Sequence, residues 1–347
     1  VTALLRSLVC GAAVAALLAA PSRALAWGTA GHHIINLVAV RTLPAGVPPF
    51  LADPQVVFEV EAVGAEPDVL KGAGESWDAD NDPGHYVDVN DDGTIAGGIA
   101  LDALPPTMEA YAKALAASGK DPYSVGYLPY SIVDGWEQLR QDFAYWRAFS
   151  YLAEHGANGD DRAYFIGQRD LRQDLIARDI GYWGHFVGDA SQPLHVSIHY
   201  NGWGDYPNPN GYSENKDVHA HFEGAFVRDH VNAGAVVNLI KPSTETAPAQ
   251  ALTQAQISAI VGAYLAATSK TVPQLYEIEK RGGFAGGSSE AVAFTTDRVA
   301  AGASELRDLI YLAWLDSANV GVGFPRIPVR DILDGKVTPG ASAFGGD

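Results

Sequence analysis

Cysteine is almost missing from this chain of 347 residues: there is one, Cys10, and it lies in an apolar N-terminal stretch. A disulfide framework is therefore excluded, and stability must come from a hydrophobic core, helped by any metal bound tightly to the folded state. Basic residues are also scarce. Lys and Arg number 23 against 41 Asp and Glu, a formal net charge of −18. A protein that grips nucleic acid through a basic surface is excluded by that balance, so any phosphate recognition needs a local device such as bound metal ions. The apolar run from Leu8 to Ala20 is only about a dozen residues, too short to span a bilayer. Convincing strand alternation, internal repeats and blocks of like charge are all lacking. What is present is 47% hydrophobic and 18% charged residues, which excludes a disordered chain and suits one large domain or two ordinary ones.

The first residues read as a secretory signal. Arg6 supplies a positive start, Leu8 to Ala20 the apolar core, Pro21 a break and Ala24-Leu25-Ala26 a small-x-small cleavage site. The expectation is a signal peptide over 1–26, a mature chain starting at Trp27, and a secreted or periplasmic location. Cys10 leaves with that segment.

Helical periodicity dominates the remainder. Leu171, Leu175, Arg178, Tyr182, His185 and Asp189 fall on one stripe of a helix. Gly181, Gly184 and Gly188 fall on another. Each glycine weakens a helix by about 1 kcal/mol relative to alanine, so the stripe predicts close approach of another backbone near His185 and Asp189. Thr253 with Gln256 forms a capping-box pattern ahead of Ile257, Ile260, Val261 and Tyr264. Val299, Ala303, Leu306, Ile310 and Ala313 predict another helix, as do Leu139, Phe143 and Trp146. A further helix is expected from near Thr29 to before Pro44. Tyr86-Val87-Asp88-Val89 reads as a short strand or an extended segment. The joins from Asn81 to Pro106 and from Asn201 to Asn215 are rich in Gly, Asp, Asn and Pro. The stretch from Gly321 ends in Gly-Ala-Ser-Ala-Phe-Gly-Gly-Asp and is expected to fray. The fold class is thus all-α: one domain over 27–347 with long surface loops.

Histidine and carboxylate spacing carries the chemistry. His185 and Asp189 stand at i and i+4 and share a helix face. Pro193 ends that helix and turns His195 back toward it. His219 and Glu223 form a second i, i+4 pair, a spacing that chelates one zinc ion from a single helical turn. His85 and Asp68 lie upstream. The predicted mature start reads Trp27-Gly28-Thr29-Ala30-Gly31-His32. A free α-amino group, with a reference pKa of about 7.7–8.0, gives up its proton to a metal readily, and His32 lies one helical turn away. The alternative for Trp27 is an apolar plug.

Together, Trp-Gly-x-x-Gly-His, His85-Tyr86-x-Asp88, His185-Phe186-x-Gly188-Asp189-x-x-Gln192-Pro193-Leu194-His195 and His219-x-x-x-Glu223 resemble the trinuclear-zinc nucleases. These are the single-strand-specific nucleases and 3′-nucleotidases of the S-one and P-one type. The zinc-dependent bacterial phospholipases C share their fold and ligand order. The resemblance implies three zinc ions. Asp68, His85, His185 and Asp189 would hold one. The Trp27 amine and carbonyl, His32 and Asp189 would hold a second, with Asp189 bridging the pair. His195, His219 and Glu223 would hold the third. Glu66 is the other carboxylate near the Asp68 position. Such a cluster activates water for in-line attack on phosphorus. By the same resemblance Asp68, Asp189 and Lys71 are candidate catalytic residues, Lys71 also contacts phosphate, Tyr86 stacks on a base and Asp88 accepts its amino hydrogens.

The resemblance implies a hydrolase of phosphate esters, with single-stranded DNA, RNA or nucleotides as substrate. Three features point instead to a phospholipid headgroup as the alternative. They are Glu223 followed by Phe226-Val227, the missing Gly-Gly-Asn stretch between Asn201 and Lys216, and the long chain between His85 and His185. A non-catalytic, exported zinc-binding protein is the third reading. No obligate protein partner is evident in the sequence. His33, His155, His199, His221 and His230 are expected at the surface or behind the ligands.

Overall fold

The structure, a computed structural model, describes residues 27–71, 76–156 and 159–346. The expected signal peptide and its cleavage site lie outside the described residues. About 67% of the described residues are helical and about 3% are strand, so the class is all-α. The principal helices are α1 Gly28–Arg41, α2 Pro54–Val63, α3 Met108–Ala116, α4 Leu128–His155, α5 Gly159–Asp189, α6 Gln254–Ser269, α7 Val272–Lys280 and α8 Ser289–Asp316. Shorter helical turns join these, and the strands among the described residues form two small antiparallel ribbons. β1 Thr94–Ile95 pairs with β2 Ile99–Ala100, and β3 Gly321–Val322 with β4 Ile327–Pro328. No helix among the described residues is long and apolar enough to cross a membrane.

Local sequence sets the helix ends. The Asp53 carboxylate accepts from the Gln55 amide to start α2, with Pro54 at its first position. Thr253 and Gln256 close the predicted capping box of α6, and Ser288 caps α8. α5 stops at Asp189, four residues before Pro193, and a short 3-10 turn over Pro193–His195 follows.

The core lies among α1, α4, α5 and α8. α4 buries Ile132, Val133, Trp136, Leu139 and Phe143. α8 buries Val299, Ala303, Leu306, Ile310 and Ala313 on the predicted stripe. Each large apolar side chain so buried contributes about 1.5–3 kcal/mol. A second cluster gathers Phe149, Phe165, Val322 and Ile332, and Phe344 packs on it. The Tyr164 hydroxyl donates to the Phe344 carbonyl at 3.1 Å. The C-terminal stretch is therefore fastened through this ring, contrary to the expected fraying.

The glycine stripe of α5 is the face that enters the core. A Cβ at Gly181 would lie 2.7 Å from Val63 Cβ and 3.1 Å from the Val60 carbonyl, so the α2 backbone does approach there. At Gly184 the close neighbours are Asn36 Oδ1 of α1 at 2.3 Å and Leu306 of α8 at 2.9 Å, and at Gly188 the His32 ring of α1 at 3.2 Å. The other predicted stripe is buried only at its C-terminal end: Leu171 and Arg178 face solvent, while Ile176, Ala177 and Ile180 carry the buried face of α5 over the same turns. Tyr86 to Val89 is extended, with one isolated bridge from Val89 to Ile95.

Candidate metal centre

Six separate segments bring the predicted ligands together. His32 comes from α1 and Asp68 from the short helix Glu66–Leu70. His85 ends the 3-10 turn Asp82–His85. His185 and Asp189 occupy the last turn of α5, and His195 ends the turn behind Pro193. His219 lies in the turn Val218–Ala220 and Glu223 in the π-helical turn His221–Phe226. All eight side chains are buried. Glu66, by contrast, is exposed, which leaves Asp68 as the carboxylate of its segment.

Three groups of buried side chains could hold a metal ion: His32, His185 and Asp189; Asp68, His85 and His185; and His195, His219 and Glu223. The first two share His185. The Asp189 oxygens lie 3.4 Å from His32 Nε2 on one side and 3.4 Å from His185 Nε2 on the other. His185 Nε2 is 3.7 Å from Asp68 Oδ1, and His195 Nε2 is 3.5 Å from Glu223 Oε2. These separations exceed a hydrogen bond. Two ligand atoms bound at about 2.1 Å on a tetrahedral ion stand about 3.4 Å apart, the spacing found here.

The ring protons support the same conclusion. His85 Nδ1 lies 3.1 Å from the Asp82 carbonyl, His185 Nδ1 2.9 Å from the Gly64 carbonyl and His195 Nδ1 2.7 Å from the His85 carbonyl. A carbonyl only accepts, so each Nδ1 carries the hydrogen and each neutral ring turns a bare Nε2 inward. His85 Nε2, His185 Nε2 and both oxygens of Asp68 and of Asp189 are buried without a hydrogen-bond partner. Acceptors facing acceptors out of water are costly unless a cation sits between them. The residues therefore fit a metal.

Electrostatics makes that demand sharper. Burial pushes Asp68 up to about 7, with Glu223 adding to the effect and Lys71 opposing it. Burial raises Asp189 well above the carboxylate range, and the Asp68 charge adds to it. His85 and His185 are driven well below the usual histidine value by burial, then by neighbouring positive groups. Protons on the histidines thus do not neutralise the first two groups. The third group differs. Burial works to raise Glu223, but His219 and His195 outweigh it and hold the carboxyl at about 2. His219 Nε2 is 2.8 Å from Glu223 Oε2, and Gln192 donates to the same oxygen at 2.9 Å.

The backbone stitches the groups together. Val87 N donates to the His195 carbonyl at 2.9 Å, while His195 returns its Nδ1–H to His85. Asn36 donates to the Val60 and Gly181 carbonyls, both at 2.9 Å, tying α1, α2 and α5 behind His185.

The structure places Trp27 as the apolar plug of the alternative reading. Its indole is fully buried and donates to the Gly188 carbonyl at 2.8 Å and to Ser191 Oγ at 3.0 Å, which is the plug. Its carbonyl accepts from Gly31 N at 3.2 Å at the head of α1, one turn before His32. The backbone φ is 29°, a left-handed conformation that costs a non-glycine residue about 1–3 kcal/mol. The anchored indole holds that strain beside the first group.

A cavity of about 200 Å³ opens beside the third group, lined by His195, His219, Lys71, Tyr86, Asp88 and Tyr200 among others. The predicted substrate residues Lys71, Tyr86 and Asp88 thus share one hollow with the ligands. Burial lifts the Asp88 carboxyl to about 7. The Tyr86 hydroxyl donates to the Tyr123 carbonyl at 3.3 Å. A larger hollow of about 650 Å³ between Val40 and Glu61 contains none of the three groups. Sequence reasoning missed Tyr200, Ser124 and the supporting Asn36, none of which stands in a spacing that signals chemistry. His199 is buried as expected of a supporting group, yet it fastens a loop and does not back a ligand. A scan of protein-family models matches none to this chain, and a search of curated proteins finds no match.

Proposed function

We propose that the protein is a zinc-dependent phosphodiesterase that binds three zinc ions and cleaves single-stranded nucleic acid. The observation that carries this reading is the sharing of His185 between two buried ligand groups, with a third group across the His85–His195 stitch and an open cavity beside it. Zinc bound in such groups supplies Lewis-acid polarisation of phosphate and activation of water. His85, His185 and His195 hold their protons at Nδ1 and keep Nε2 for the metal. Asp189 balances charge between His32 and His185. Lys71 offers an ammonium to a phosphate oxygen at the cavity rim. Asp88 and Tyr86 present a carboxyl and a ring face to a base.

The open cavity also favours an enzyme over a closed zinc store. A phospholipase C is the second reading, favoured by Val69 and Leu70, which stand exposed between Asp68 and Lys71. The test is one panel. Protein processed to a free Trp27 and loaded with zinc is offered single-stranded DNA, RNA, a 3′-mononucleotide and phosphatidylcholine micelles. Cleavage of the nucleic acids supports the proposal, turnover of lipid alone replaces it with the second reading, and turnover of none refutes both.

A further inference from the structure

Gln192 caps the 3-10 turn Pro193–His195: its Oε1 accepts from the Leu194 amide at 2.6 Å. Asn, Asp, Ser and Thr are the side chains favoured at the start of a helical turn. Glutamine is one methylene longer than asparagine, and a long flexible side chain loses more rotamer freedom when buried. As a cap alone, Gln192 is therefore a poor choice. The extra length has a second use. A backbone N–H only donates, so the carboxamide must keep its oxygen on Leu194 and turn its hydrogens away. They meet Glu223, whose Oε2 accepts from Gln192 Nε2 at 2.9 Å. Both side chains are buried, Gln192 completely.

Glu223 stands in the π-helical turn His221–Phe226, and the other side of that turn is pressed by the start of α1. A Cβ on Gly28 would lie 3.2 Å from the Glu223 carbonyl and 3.5 Å from Gly224 Cα. The turn is thus gripped by its backbone from α1 and by its carboxylate from Gln192. Glu223 Oε2 lies 2.8 Å from His219 Nε2 and 3.5 Å from His195 Nε2, while Oε1 is buried without a hydrogen-bond partner. The oxygens of Asp68 and Asp189 accept no hydrogen bond, so this support belongs to the third group alone. Gln192 also donates its own amide to the Asp189 carbonyl at 2.9 Å, which roots it at the end of α5.

We propose that Gln192 is the positioning residue of the third metal group. One end of its carboxamide fixes the turn that presents His195, and the other holds the Glu223 carboxylate toward His195 and His219. Two ligands from segments distant in sequence are thereby set by a single planar group. This role rests on the metal reading above and adds to it the part that prepares the third group for its ion. A cation entering there finds its donors already ordered, so its binding energy is not spent on arranging them. Hydrogen-bond partners of ligating carboxylates govern metal affinity by about tenfold to a hundredfold. Asparagine at 192 would keep the cap on Leu194 but stop short of Glu223, which separates the two uses of the side chain.

The experiment titrates zinc against a chromophoric chelator in protein processed to a free Trp27, for wild type, Gln192→Asn, Gln192→Met, His219→Ala and the double variant His219→Ala/Gln192→Asn. Melting in excess chelator establishes that each is folded. Gln192→Asn should weaken one of the three ions about tenfold to a hundredfold and leave the other two as in wild type. Gln192→Met, which keeps the length and loses both bonds, should weaken the same ion at least as much. In the His219→Ala background, where that ion is already lost, adding Gln192→Asn should change nothing further. Wild-type zinc affinities in both Gln192→Asn and Gln192→Met overturn the positioning role and leave the metal reading standing. Equal weakening of all three ions overturns it too, for it marks a general loosening of the turn. A wild type from which His219→Ala removes no ion overturns the third group and the role of Gln192 together.

Discussion

Stripped of metal, the protein should lose stability as pH rises through neutrality, and Asp68→Asn should remove that loss. Burial lifts the Asp68 carboxyl from 3.8 to about 7. The unfolded chain therefore releases this proton first, and between the two values the folded state holds more protons. Stability falls as pH rises through that window and the loss is complete above about pH 7. A displacement of about three pK units is about 4 kcal/mol in full, of which about 2.5 kcal/mol falls between about pH 5 and pH 8. In melting temperature this is about 4 °C. The histidines work the other way. His85 and His185, held low by burial, lose stability as pH falls below their unfolded value, so the wild-type curve alone mixes the two effects. The difference between wild type and Asp68→Asn isolates the carboxyl, because an amide does not ionise. The assay is urea unfolding in excess chelator at both pH values, repeated with zinc. In chelator the variant should be the more stable protein at about pH 8, by about 4 kcal/mol at most. With zinc the order should reverse, because the variant has lost a ligand. A variant less stable than wild type in chelator at both pH values would refute the reasoning, for it would make Asp68 an ordinary structural hydrogen-bonding group.

Metal analysis of protein processed to a free Trp27 should find about three zinc ions per chain; Asp189→Asn should disturb two and His219→Ala chiefly one. A single ion in a fully active wild type would contradict this. A residue left in front of Trp27 converts its amine to an amide, a poor ligand at neutral pH, so tagged protein should hold less zinc and trimming should restore it; equal zinc in both forms removes Trp27 from the metal. Gly184→Ala should cost about 2–4 kcal/mol in urea unfolding, because its Cβ would meet Asn36 Oδ1 at 2.3 Å and disturb two hydrogen bonds. Gly167→Ala, in the same helix with nothing within 4 Å, should instead stabilise by about 0.5–1 kcal/mol.

The candidate ligand positions were readable where their spacing is local. His185, Asp189 and His195 are linked by one helical turn and one proline, and the i, i+4 pair of His219 and Glu223 needs only a helical turn. Asp68 and His85 carry no such signal and were legible through resemblance alone. Periodicity also does not say which of two neighbouring stripes of a helix faces the core. Leu171 and Arg178 continue the pattern of α5 yet end in solvent, while the glycine face, silent in hydrophobicity, turns inward. The C-terminal stretch shows why composition misleads near a terminus: one aromatic, Phe344, finds a site among Phe149 and Phe165 and fixes a glycine-rich segment that has no pattern of its own. The π-helical turn at His221–Phe226 and the loop that mounts Tyr200 and Tyr206 depend on distant partners such as Tyr276, and no window of neighbouring residues contains them.

The bond from His195 to the His85 carbonyl joins residues 110 positions apart. Closing a loop of that length costs more entropy than any contact within one helix. Unfolding would break the constellation into short, separate histidine and carboxylate pairs. Under the proposed function, release of the ions and loss of the fold would therefore be one event, and bound zinc would protect the chain against denaturation.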